Sequence, residues 1–339
     1  MNRVAALPAG SRNELFSLTA ERMGMGSVAV VEKDFWVCWV LKQIFADGVL
    51  SKLLVFKGGT SLAKVFGLID RFSEDIDLIL DWRVVEGEDP MAERTNTRQR
   101  KLNEEINQKA VGYIAETLVP RLEGVLGIHC EVLVKTGEKD QGHIVQIQYP
   151  TTAEAGNLLP HIQLEIGPLA SWLPNSNYIV RPYAWEEFPG QFDDAECPVR
   201  AIDAQRTFWE KATILHHEAN RPEGSPVPLR YSRHYYDLYM MAKDRDVKQS
   251  AMEDLGMLRD VVAFKKKFYP RGWANYGEAK PGSLKLLPPE HERPALFGDY
   301  DAMQDMIFGR NPSFKEILDG LETLEAEING LEKGGGHPS

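Results

Sequence analysis

The stretch VFKGGTSLAKVFGLIDRFSEDIDLIL, residues 55–80, decides how the chain is read. Two adjacent glycines, Gly58 and Gly59, lie between Lys57 and Lys64, and an acidic run follows between two apolar segments. LLVFKGG reads as a strand entering a glycine turn, TSLAKVFGL as the helix after it, and DIDLIL as a second strand. Glycines directly after a strand let the backbone approach a phosphate without Cβ interference and offer N–H groups to its oxygens. Thr60 and Ser61 stand where the following helix would begin. Gly-Gly turns are common, so the glycines alone say little. Asp75 and Asp77 narrow the reading. Residues two apart in a strand face the same side, so both carboxylates can converge on one divalent cation, and Mg²⁺ is the hard, oxygen-liganded ion that bridges nucleotide phosphates. The plainer alternative is an Asp-x-Asp on a solvent-facing strand.

Metal-assisted nucleotidyl transfer usually calls for a third carboxylate on a neighbouring strand. Glu165 in HIQLEIG is the acid of that segment, and its neighbours Leu164 and Ile166 point the other way. It is the candidate; an ordinary exposed strand glutamate is the alternative.

The remaining composition sets bounds. At 339 residues and 43% hydrophobic content, the chain suffices for one large or two medium domains. No apolar run approaches the ~18 residues that cross a bilayer, and the start lacks the pattern of a leader, so a soluble cytoplasmic protein with no membrane association is expected. Three scattered cysteines, Cys38, Cys130 and Cys197, suggest neither a disulfide framework nor a zinc site. Fifty acidic against 39 basic residues give a formal charge of −11, which argues against a uniformly basic coat for nucleic acid but leaves room for a local basic groove. Lys265–Lys267 with Arg271, and Arg221 with Arg230 and Arg233, are the candidates, each equally readable as a solvated helix face.

Along the chain the pattern changes near residue 196. Before it, an apolar helical segment (32–45) and the glycine–DxD region precede a polar, helix-compatible stretch from about 90 to 118, broken at Pro120. Strand-like segments 129–136, 143–150 and 161–167 follow, the last two alternating as half-buried antiparallel strands do. After it, helices are expected over 203–219, 233–243, 252–269, 299–308 and 313–332. The expected organisation is an α/β (α+β) protein with a mixed sheet over 1–195, a helical C-terminal domain over 196–332 closing one side of a cleft, and a disordered tail over 333–339. Trp36, Trp39 and Trp209 are expected in the core, and His216 and His217 on a helix surface.

Taken together, FKGGTSLAKVFGLIDRFSEDIDL resembles the glycine–DxD signature of the DNA polymerase β-like nucleotidyltransferases, and specifically the AbiEii/AbiGii toxin family, which includes the MenT-like toxins. EKDFWVCWVL (32–41), RTFWEKATILHHEA (206–219), SRHYYDLYMM (232–241) and the C-terminal FYPRGWANYG, LKLLPP and DYDAMQDMIFG are similar to that family too. The resemblance implies a toxin of a toxin–antitoxin or phage-defence pair, with the nucleotidyltransferase fold, an antitoxin of the AbiEi type or a regulatory kinase as partner, and the tRNA 3′ end as acceptor. Carried over residue by residue, Lys57, Gly58, Gly59, Thr60 and Ser61 fall on the nucleotide-binding loop, and Asp75 and Asp77 on the metal ligands. Lys211 and Asp237 fall on the family's downstream lysine and aspartate, Arg233 on the accompanying arginine, and Glu165 on the third carboxylate.

The implied reaction transfers a nucleoside monophosphate (NMP) from an NTP to an acceptor hydroxyl. Lys211 would grip the triphosphate, and Glu165 or Asp77 would take the acceptor's proton. Arg233 and Asp237, four apart, share a helix face, and an intrahelical ion pair is the alternative to a role in the site. Ser73 borders the site if the strand has already begun there; a phosphate on it would add negative charge beside the acids and silence the enzyme, as in some MenT-type toxins, whereas a turn residue capping backbone N–H groups is the plainer reading. Transfer to a protein or a small molecule, and a catalytically silent nucleotide-binding module, are the rival functions.

Overall fold

In the computed structural model, residues 1–136, 143–153 and 158–331 are described. The expected tail, 333–339, lies outside them. Seven strands form one mixed sheet: β1 (Leu54–Lys57), β2 (Asp75–Leu80), β3 (Glu131–Thr136), β4 (His143–Gln148), β5 (Ile162–Gly167), β6 (Asn175–Val180) and β7 (Cys197–Ile202), in the order β3-β4-β5-β2-β1-β7-β6. β2 runs parallel to β5 and antiparallel to β1, and β1 runs parallel to β7. The remaining neighbours pair antiparallel. The mixed α/β architecture expected from the sequence is therefore present.

The chain folds into two compact units. The first comprises 1–66, 72–92 and 100–202 and holds the whole sheet; the second comprises 67–71, 93–99 and 203–339. β7 belongs with the first because it is hydrogen-bonded between β1 and β6.

In the first unit, the 19-residue helix Val28–Ala46 is buried on nearly every face, which is why its sequence is apolar throughout rather than along one stripe. Phe35, Trp36 and Trp39 are at most 1% exposed and share a core with β1, β2, β4 and β5. Three consecutive charged residues of that helix, Glu32, Lys33 and Asp34, are all buried. Each has partners far along the chain. Glu32 accepts hydrogen bonds from the Thr151 hydroxyl, from the N–H and hydroxyl of Thr152 and from the Ala153 N–H. Asp34 pairs with Lys64 at 2.6 Å and accepts from the Tyr183 N–H. Lys33 pairs with Glu74 at 2.6 Å. Such charges survive burial only because each is matched. All three cysteines are buried and free.

The second unit is largely helical: Ala204–Glu218, Ser232–Lys243, Arg245–Glu253, Leu255–Phe268, Arg293–Met303 and Phe314–Gly330. Two helices occupy this region: Arg245–Glu253, which was not expected, and Leu255–Phe268, which answers to the helix expected over 252–269. Asp244 caps the first by accepting from the Val247 N–H, and Asp254 caps the second by accepting from the Met257 N–H. The helix expected over 299–308 begins earlier, with Pro294 in its first turn, where a missing N–H costs nothing. In the first unit, Pro120 likewise opens the helix Val119–Leu126, so the helical path from Asn96 continues through it. Trp209 is fully buried and donates its indole N–H to the Ala251 carbonyl.

His216 and His217 do not coat a surface. His216 is fully buried; its Nε2 lies 3.1 Å from the Asn275 carbonyl, and its Nδ1 accepts from the Lys285 N–H at 3.0 Å. His217 packs against Trp273. The helix Ala204–Glu218 is enclosed on that side by the irregular segment after residue 270, whose irregular backbone periodicity cannot reveal. Arg221, a candidate for a basic groove, is 9% exposed and clamps Glu218 with two hydrogen bonds of 2.6 and 2.8 Å.

Candidate active site

The candidate site is built on the three central strands of the sheet, β5, β2 and β1. In β2, Ile76 and Leu78 enter the core while Asp75 and Asp77 are half-buried on the other face. The register sets Asp77 directly opposite both Lys57 of β1 and Glu165 of β5. Asp75 stands opposite Gln163, whose amide donates to Glu165 Oε1 at 3.2 Å. Three carboxylates therefore share one face of the sheet, as the alternation in both strands requires. Glu165 is the exposed member of an otherwise alternating strand.

Gly58 is held against this face. Its φ is +85°, a conformation that side chains disfavour, and a Cβ there would lie 1.8 Å from Asp77 Oδ2. The Asp77 carboxylate thus fills the volume that any other residue at position 58 would occupy. Thr60 and Ser61 are buried, with their hydroxyls turned inward. The Thr60 hydroxyl bonds the Ser73 and Asp75 carbonyls, and Ser61 Oγ donates to the Gly58 carbonyl at 2.9 Å. They fasten the glycine turn to the start of β2. Ser73 lies before β2 begins, so strand alternation does not assign its side chain a face; its carbonyl serves Thr60.

Electrostatics mark Asp75. Burial, and then Glu165, Glu74 and Asp77, push its carboxyl up to about 6, with Lys33 acting in the opposite sense. Among the described residues, no group of three or more His, Cys, Asp or Glu side chains is drawn together into a ready-made metal site. The carboxylates are near enough to repel one another without converging on a common point. Their chemistry suits a hard, oxygen-seeking divalent cation, which would relieve that repulsion, and the cradle over Gly58 leaves Asp77 room on the shared face.

The other expected residues lie in the second unit. Asp237 is fully buried, and its partner is not Arg233. Arg71 grips it with two hydrogen bonds of 2.6 and 2.9 Å, and Lys211 donates to Oδ2 at 2.7 Å. Burial alone would raise the Asp237 carboxyl, but Arg71 and Lys211 hold it well below the usual range. The Lys211 ammonium is lowered by burial, with Arg71 and Arg233 adding to the effect, because it shares one carboxylate with a second cation. Its other neighbour is His234 Nδ1 at 3.1 Å, an acceptor that burial keeps neutral. Arg233 is half-buried.

Sequence reasoning missed Arg71, Lys33 and Glu74. Arg71 and Glu74 stand inside the opening stretch, in IDRFSEDID, and Lys33 was legible only as a charge inside an apolar helix, where a buried partner is the usual explanation.

A family model described as "Nucleotidyl transferase AbiEii toxin, Type IV TA system" matches residues 39–320. The chain belongs to that family, the AbiEii nucleotidyltransferase toxins of type IV toxin–antitoxin systems. Among solved structures it is similar to MenT4, a nucleotidyltransferase toxin from Mycobacterium tuberculosis H37Rv, at 18% identity and a TM-score of 0.44, covering 93% of this chain and 97% of that one. At that distance membership rests on the family model. No curated protein sequence matches the chain. No helix among the described residues is long and apolar enough to cross a membrane.

Three measurements check this geometry. Gly58→Ala forces its Cβ into the Asp77 carboxylate at an unfavourable φ, and a cost of at least ~1–3 kcal/mol is expected in urea unfolding. Gly67→Ala, also at positive φ (+61°) but facing open space, serves as the control for strain alone.

Asp75 gives a pH signature in metal-free protein. The folded state keeps the proton up to about 6, whereas the unfolded carboxyl loses it near ~4. Its contribution is fully present below ~4 and is lost as pH rises through about 6, by roughly 2–3 kcal/mol. Unfolding of Asp75→Asn followed across that window should lack this fall, and identical slopes in the two proteins would contradict the assignment. Asp237→Ala strands Arg71 and Lys211 without a counter-ion, so a loss of ~3–5 kcal/mol is expected in the same assay.

Proposed function

We propose that the protein is a Mg²⁺-dependent nucleotidyltransferase that moves an NMP from an NTP to an acceptor hydroxyl, with the tRNA 3′ end as acceptor, in a toxin–antitoxin or phage-defence pair with an antitoxin of the AbiEi type. The observation that carries the reading is the set of Asp75, Asp77 and Glu165 on one sheet face beside the Gly58 turn. Asp75 and Asp77 are the residues that would hold the cation. A divalent cation held by them would supply positive charge against the charge that builds on the leaving pyrophosphate.

The chain's own part is positioning and proton transfer. The turn at Gly58 and Gly59, anchored by Thr60 and Ser61, sets its backbone where phosphate oxygens can accept its N–H groups. The acceptor oxygen bonds to the α-phosphorus as the bond to pyrophosphate breaks, and its proton passes to Glu165 or Asp77. Roles for Lys211, Asp237 and Arg233 in the transfer rest on the family resemblance. A second acceptor class, a protein or small-molecule hydroxyl, stands beside the tRNA 3′ end on one observation, the net charge of −11.

Incubating purified protein with each labelled NTP, Mg²⁺ and total cellular RNA tests the proposal and separates the acceptors. Label should enter the tRNA 3′ end, and Asp77→Asn should cut incorporation roughly 100-fold or more while still melting cooperatively. Incorporation by a folded Asp77→Asn protein at the wild-type rate would refute the site.

A further inference from the structure

Lys33, in the first unit, has no solvent exposure. Its Nζ donates to Glu74 Oε2 at 2.6 Å and to the Leu159 carbonyl at 2.9 Å. The Leu159 N–H donates to the same Glu74 oxygen at 3.1 Å, which closes a ring of three groups. Glu74 immediately precedes Asp75, the first residue of β2, and Leu159 lies three residues ahead of β5. β2 and β5 are parallel neighbours, so the ring ties together the leading ends of the two strands that carry Asp75, Asp77 and Glu165. The ammonium itself projects from the rigid, buried helix Val28–Ala46.

We propose that Lys33, acting through Glu74, is a positioning residue that sets the spacing of the Asp75, Asp77 and Glu165 carboxylates for a divalent cation. This rests on the reading of the site given above. A hydrophobic pair of similar volume would fill the same space at no desolvation cost, so stability alone does not call for an ion pair there. What the ion pair adds is direction. The β2–β5 ladder already sets the shared face, and three hydrogen bonds with fixed geometry add a fixed relative position for the two strand starts, which governs how closely the carboxylates can approach. Neighbouring charges on the helix serve other segments: Glu32 fastens 151–153, and Asp34 holds Lys64 at the end of the helix Gly58–Lys64.

The test separates spacing from stability in the full-length protein. Lys33→Met with Glu74→Gln removes both charges together, so neither is stranded. Glu74→Asp keeps both charges and shortens the tether by one methylene. Mn²⁺ binding is titrated by the electron paramagnetic resonance of the free ion, with a non-hydrolysable NTP analogue present, and thermal melts are run alongside. Wild type and Asp75→Asn are the references. The paired variant should melt cooperatively near wild type yet bind Mn²⁺ more weakly by roughly 10- to 100-fold, and Glu74→Asp should weaken it in the same direction. If the paired variant does not melt cooperatively, Glu74→Asp alone decides. A folded variant that binds Mn²⁺ as tightly as wild type overturns the role of Lys33 while leaving the site intact. Wild-type binding that Asp75→Asn does not weaken overturns the site, and this inference with it.

Discussion

The constraint on which the site depends is the close approach of Gly58 to Asp77. The carboxylate stands where a Cβ at position 58 would be, 1.8 Å from its Oδ2. Only glycine permits this, and only at a φ of +85° does the chain turn sharply enough to leave β1 and enter the next helix beside β2. Once that contact is fixed, the antiparallel register of β1 on β2 follows, Lys57 faces Asp77, and the parallel register of β5 brings Glu165 alongside. Like charges accumulate on one face as a result. The Asp75 carboxyl is raised first by its burial and then by Glu165, Glu74 and Asp77 around it.

Resistance comes from buried polar anchors behind the face. The Thr60 hydroxyl holds the turn to the Ser73 and Asp75 carbonyls. Lys33, Glu74 and Leu159 close a ring at the strand starts. These groups hold the face in place, and their own side chains turn inward. The second unit is organised by a comparable device, a buried carboxylate shared between Arg71 and Lys211. In both units a charge that sequence inspection would assign to solvent or to chemistry is also a fastening.

Much of this was legible. The glycine–DxD stretch, the alternation of β5 and the burial of Trp36, Trp39 and Trp209 follow from spacing and side-chain type, whereas β4 buries Gln146 between Val145 and Ile147. The partners of buried charges were not, because they lie far off in the chain: Lys33 meets Glu74 41 residues away, and Arg71 meets Asp237 166 residues away. A helix period reports which face is apolar, not which distant residue will neutralise a charge on it. For that reason the spacing of Arg233 and Asp237 offered only a local ion pair as the alternative to a role in the site, and Arg71 and Lys211 were not visible as the partners of Asp237. The helix Arg245–Glu253 was not read from the sequence, although the capping Asp244 ahead of it was visible in principle. The burial of His216 depends on the irregular segment around Asn275 and Lys285, which has no period to read.

The most direct test of the central claim is a crystal of the protein grown with Mn²⁺ and a non-hydrolysable NTP analogue, with diffraction collected where manganese scatters anomalously. The account places an anomalous peak within coordination distance of Asp75 and Asp77 on the shared face of β2 and β5. A bound analogue with manganese elsewhere, or with none against those carboxylates, would contradict it.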